Sequence, residues 1–139
     1  ATITELQKHN IPKYLNDLGG YLKEELNSIF SIYDMPYLAC SGYPYRTIVN
    51  IAHPELNSLE IKSLIQQELF KRGILWSGFH TLSFSHTLSD IEYTLKAYKD
   101  ALLPVKQAIE EKNILKNLKG TPVAPVFRKT SNFNTKPKS

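Results

Sequence analysis

The sequence predicts an α+β domain, in which a small antiparallel or mixed sheet carries helices packed on one face. Two observations point there. Long segments repeat apolar residues every three or four positions, the spacing of an amphipathic helix. Between them lie short runs rich in β-branched and aromatic residues, bounded by Gly, Pro, Ser and Asn. A one-faced sheet under helices gives every apolar stripe a partner.

The first stripe, Leu15, Leu18, Leu22, Leu26 and Ile29, predicts a helix from about Ile11 to Ile29, with Asn10 as N-cap and Pro12 in the first turn. Ile3 and Leu6 extend the pattern or form a short helix of their own. Gly19 and Gly20 lie inside the stripe, each costing about 1 kcal/mol relative to Ala. They imply close packing against a neighbour, because no G-x-G-x-x-G context surrounds them. Tyr37 to Cys40 and Tyr45 to Ala52 then read as a hairpin with Ser41 to Pro44 as its turn. A second helix opens on a capping box, Asn57-Ser58-Leu59-Glu60, and buries Ile61, Leu64, Ile65 and Leu69. Lys71 and Arg72 complement its negative end, and Gly73 takes the left-handed stop position.

A second hairpin is expected next, pairing Gly73 to Trp76 with His80 to Ser85 across a Ser77-Gly78 turn, with Leu82 and Phe84 on one face. Thr87-Leu88-Ser89-Asp90 is another capping box. It opens a helix that turns Leu88, Ile91, Leu95, Tyr98, Leu102 and Val105 inward, and Pro104 kinks or ends it. Residues 1–113 form the domain; residues 114–139 form a basic, extended or poorly ordered tail. No internal repeat is present.

A chain of 139 residues builds a core without staples. Cys40 is its only cysteine, so it forms no internal disulfide, and in YLAC it reads as a buried thiol rather than a nucleophile. No apolar stretch approaches the roughly 20 residues that cross a bilayer, and no signal peptide is evident, which predicts a cytoplasmic protein. The net charge of +4 hides an asymmetry. Residues 1–111 hold ten Lys and Arg against thirteen acids, whereas residues 112–139 hold seven basic residues and no acid. A stand-alone module whose basic tail binds RNA or an acidic partner is therefore an alternative function. Only Phe127 and Phe133 are interleaved with the tail's charges, however, which favours a solvated tail over nucleic-acid contact.

No complete catalytic constellation exists within the chain. His9, His53, His80 and His86 lack a further ligand at metal-binding helical spacing, so no metal is expected. Ser77, Ser83 and Ser85 lie outside any G-x-S-x-G elbow, and no strand leads into a phosphate-cradling Gly-rich turn. His86 reads as a residue that helps satisfy the start of the following helix or simply sits on the surface.

The stretch from Glu60 to Leu95 resembles the C-terminal, small domain of class III pyridoxal-phosphate-dependent aminotransferases, in the branch that contains glutamate-1-semialdehyde aminomutase. Lys71-Arg72-Gly73-Ile74-Leu75-Trp76 and Ser85-His86-Thr87-Leu88-Ser89-Asp90-Ile91 carry the likeness. Ala1-Thr2-Ile3, Ile11-Pro12, Leu18-Gly19 and Leu26 extend it weakly at one end, and Gly120 to Arg128 at the other. The resemblance implies a half-enzyme of the aminotransferase small-domain type. The Schiff-base lysine, the Asp that pairs with the pyridine nitrogen and the phosphate loop would belong to a large domain before Ala1. No catalytic or cofactor-binding residue is assigned here. Pyridoxal phosphate would serve the full-length enzyme and would not bind this chain alone. The implied partners are that domain, a second subunit in a homo-oligomer, and a small amino donor or acceptor. Ser77, Phe79 and His80 are the implied substrate-facing residues. Here the chain departs from its relatives, since Ser77-Gly78-Phe79-His80 has neither the Arg that many members use for a substrate carboxylate nor the Glu of the aminomutase branch. That leaves the choice between aminotransferase and aminomutase open.

Overall fold

In the computed structural model, Thr4 and residues 8–124 are described; Ile3, Leu6 and the residues beyond 124, including Phe127, Arg128 and Phe133, fall outside them. Helix α1 (Ile11–Ile32) leads into strands β1 (Leu38–Tyr43) and β2 (Arg46–Ile51). Helix α2 (Ser58–Phe70), strand β3 (Phe79–Thr81), helix α3 (Leu88–Glu110) and a short helix α4 (Ile114–Asn117) follow. The sheet is antiparallel in the order β1-β2-β3. Leu38, Cys40, Thr47 and Val49 point into the helices, while Ser41, Tyr43, Arg46, Ile48 and Phe79 point away from them. The α+β architecture with helices on one face is thus realised.

The stripe of α1 buries Leu18, Leu22, Leu26 and Ile29 as its spacing requires. Its start differs from expectation. Asn10 sits in the left-handed region (φ 46°) and makes no side-chain cap, so the helix enters through a backbone turn with Pro12 in its first turn. Gly19 meets the hairpin tip: a Cβ there would lie 1.8 Å from the Pro44 carbonyl oxygen. Gly20 meets nothing within 4 Å, so only one of the two glycines serves close packing.

The first hairpin is tighter than its composition implies. Ser41, Gly42 and Tyr43 are strand residues paired with Ile48, Thr47 and Arg46, which leaves Pro44-Tyr45 as the connection. Asn27 of α1 secures the outer edge of β1. Its amide donates to Cys40 O at 2.9 Å, and its Oδ1 accepts from Cys40 N at 2.8 Å, so the backbone pairing that an edge strand lacks is supplied by a side chain.

In α2 half of the expected capping box forms: Asn57 accepts from Leu59 N at 2.9 Å. Arg72 donates to the Glu68 carbonyl at 2.8 Å, and Lys71 and Arg72 both pair with the buried Glu68 carboxylate. Burial raises the Glu68 pKa, but hydrogen bonds from Lys71, Arg72 and Gln67 outweigh it and hold the group below the usual carboxylate range. Gly73 adopts φ 77° at the helix stop.

The expected second hairpin does not form. Gly73 to Trp76 is irregular backbone, and β3 pairs instead with β2, setting His80 opposite Thr47 and Phe79 opposite Ile48. Side-chain burial decides this. Trp76 is held in the core, whereas Leu75 is 91 % exposed, so the segment anchors at one residue and has no strand to pair with. Phe84 leaves the sheet and packs edge-on against Tyr14.

The capping box of α3 is complete, with Thr87 Oγ1 accepting from Asp90 N and Thr87 N donating to the Asp90 carboxylate at 2.7 Å. Ile91, Leu95, Tyr98, Leu102 and Val105 are buried, but Leu88 is half exposed. The helix continues through Pro104 to Glu110. Leu103 and Pro104 face solvent, so the carbonyl freed by the missing N–H is on the wet side while Leu102 and Val105 hold the inner face. The boundary expected at residue 113 does not separate body from tail. Ile114 is buried in the core, Gln67 Nε2 donates to Asn117 O at 2.9 Å, and Val123 N donates to Ser63 Oγ at 2.8 Å. Among the described residues no helix is long and apolar enough to cross a membrane.

Candidate functional site

A cleft of about 520 Å³ opens where the loop after α2, strand β3 and the start of α3 converge. Ser77, Phe79 and His80 all line it, as do Ile74, Trp76, Leu82, Ile91 and His86. The two stretches that carry the family resemblance therefore share one concavity, with β3 between them.

His80 reaches that position through its pairing with β2. The register places its ring against Thr47, and α3 presents Tyr98 from the other side. Nδ1 lies 3.0 Å from Thr47 Oγ1, and Nε2 lies 3.0 Å from Tyr98 Oη. A neutral imidazole has one donor and one acceptor, and both are engaged. Burial lowers the His80 pKa from 6.5 to about 4, so the ring is neutral at physiological pH. The Tyr98 phenol is pushed well above its ordinary value, by burial first and by the nearby Cys40 second. Burial also raises the Cys40 thiol, and the Thr47 hydrogen bond offsets this only in part, so Cys40 stays protonated and is a poor nucleophile.

His80 thus borders the cleft while its nitrogens tie β3 to β2 and α3. It can present a ring edge to a ligand, but proton transfer there would first break a buried hydrogen bond. Ser77 is exposed at the mouth, and Phe79 turns partly outward. His86 does not cap α3 as expected; its Nδ1 accepts from Ser83 N at 3.0 Å and closes the preceding turn. His80 and His86 both line the cleft, but no group of three or more metal-ligating side chains occurs among the described residues. Trp76 contributes a wall of the cleft, and its buried indole N–H has no partner among the described residues.

Thr47 and Tyr98 are the site residues that the sequence reading missed as partners. Tyr98 was visible only as one more member of a core stripe. Thr47 carried a signal, since it is the polar residue at an inward position of an otherwise apolar strand face. Among the described residues no Lys or Arg lines the cleft. On the other side of Ser77 and Phe79, between β2 and α2, Arg46 and Lys62 flank a smaller groove. Compared with protein families, curated proteins and solved structures, the chain finds no match.

Proposed function

We propose that this chain is the C-terminal lobe of a class III pyridoxal-phosphate-dependent aminotransferase or aminomutase, closing over a substrate held by a larger coenzyme-bearing domain. One observation carries the reading: Gly73 to Trp76 on one side and His86, Asp90 and Ile91 on the other, which belong to the resembling stretches, line the same cleft. Its apolar wall of Ile74, Trp76, Leu82 and Ile91 suits a lobe that excludes water from a reacting centre, with Ser77 and His80 beside it. The coenzyme itself does not fit this cleft alone. A phosphate needs cations or converging N–H donors, and among the described residues no Lys or Arg lines the cleft. The chemistry therefore belongs to the other domain, and this lobe shapes and dries the site.

The reading also accounts for apolar side chains left on the outside, Leu75 at 91 %, Ile32 at 79 % and Tyr43 at 69 % exposure. They would pack against the larger domain or a second subunit in a cytoplasmic enzyme. The isolated chain is then expected to self-associate, with a sedimentation coefficient that rises with concentration. Sequencing the reading frame upstream of the Ala1 codon tests the central proposal. A large domain with a lysine at a strand end is expected, and a frame that opens at Ala1 would overturn it. A visible aldimine band on adding pyridoxal phosphate to this chain would equally contradict the proposed division of labour.

A further inference from the structure

We propose that a groove between β2, the segment Ser77-Gly78-Phe79 and α2 binds a carboxylate through Arg46 and Lys62. The groove measures about 220 Å³ and is lined by Ile48, Val49 and Phe79 in addition to the two cations. It goes beyond the aminotransferase reading and does not rest on it.

Arg46 is held by its stacking on Phe79, and among the described residues neither Arg46 nor Lys62 has its hydrogen-bonding capacity spent. The Arg46 guanidinium lies over the Phe79 ring, 5.4 Å from its centroid. Cation–π stacking uses the flat face of the group and leaves its edge of N–H donors pointing away from the ring. The register explains why it is there: Arg46 pairs with Thr81 and Ile48 with Phe79, so arginine and phenylalanine are diagonal neighbours on the same outward face. Lys62 projects from α2 and is half-buried, with its ammonium against Gly78. A Cβ at Gly78 would lie 2.9 Å from Lys62 Nζ, so the lysine occupies space that only glycine leaves open. Among the described residues neither cation has an ion-pair partner, whereas Lys71, Arg72, Lys106 and Lys112 all do.

Two cations converging on an apolar floor fit a particular ligand. The fork of Arg46 matches a carboxylate in bidentate fashion, Lys62 adds a point charge, and the exposed Ile48 and Phe79 accept a short hydrocarbon chain. A phosphate would gain the charges but waste the apolar floor. The groove therefore selects a small aliphatic carboxylate.

Titration of the uniformly ¹⁵N-labelled chain with sodium butyrate tests this by amide shifts. Saturable shifts at Ser77, Gly78 and Phe79 are expected, with weak affinity as befits a small open site. R46Q should weaken binding by about tenfold or more, the usual loss for a charge-assisted hydrogen bond, and K62Q by a smaller factor. R46K, which keeps the charge without the fork, should fall between wild type and R46Q, and it also covers the case in which R46Q fails to fold. Equal binding of inorganic phosphate or of butylammonium would overturn the carboxylate assignment. Unsaturable shifts spread over the surface, or full affinity in R46Q and K62Q together, would remove the site.

Discussion

His80 is a polar residue enclosed by a core, and its environment has a thermodynamic consequence. Its pKa is lowered from 6.5 to about 4 by burial, so the unfolded chain binds a proton more readily than the folded one. The stability this contributes is complete above about pH 6.5, declines as the pH falls and is lost near pH 4, for a total of about 3 kcal/mol. Urea denaturation should show the midpoint dropping across that window. His80→Gln, which can hydrogen-bond to Thr47 and Tyr98 without titrating, should flatten the dependence. The upper part of the window excludes Glu68, whose lowered pKa keeps its ion pairs until below the usual 4.5, and the difference between wild type and His80→Gln isolates His80. An unchanged slope in His80→Gln would mean that the ring is not buried in solution.

At the scale of elements, α1 and the β1–β2 hairpin meet backbone to backbone at Gly19 and Pro44. Gly19→Ala would force a Cβ to 1.8 Å from the Pro44 carbonyl, and neither helix nor turn has a flexible side chain to yield. A loss of at least about 2–3 kcal/mol is expected from such overpacking. Gly20→Ala has nothing within 4 Å to strike and removes a helix-interior glycine, so it should gain about 0.5–1 kcal/mol. Opposite shifts of the melting temperature for adjacent glycines are the result to look for; equal shifts would mean that α1 does not rest on the hairpin as described. The sequence identified this glycine pair as a packing feature but could not separate its members, because separation depends on which side of the helix the hairpin tip approaches.

For the molecule as a whole, residues 114–124 are part of the folded body. Ile114 is 3 % exposed, and Gln67 and Ser63 of α2 bind the backbone of the segment that follows. Truncation after Asn113 should therefore cost at least about 2 kcal/mol, and Ile114→Ala alone should account for much of that. A truncated chain as stable as the full one would restore the picture of a separate tail. Composition misleads at this point: Lys, Asn, Gly and Pro describe the exposed side chains of the segment, while its attachment runs through one isoleucine and backbone groups.

The elements legible in advance were those specified by local chemistry. The stripes of α1, α2 and α3, the Thr87–Asp90 capping box and the Gly73 stop depend on residues a few positions apart, and they form where expected apart from Leu88, which is half exposed at the start of α3. Ser77, Phe79 and His80 were named only through the resemblance, and all three line the cleft. Relations between distant residues were settled by packing alone. Packing chose β2 rather than Gly73 to Trp76 as the partner of β3, engaged both nitrogens of His80 with Thr47 and Tyr98, and set Arg46 across Phe79. Those outcomes follow from which side chains can be buried together, and a strand of three residues carries too little periodicity to announce its partner.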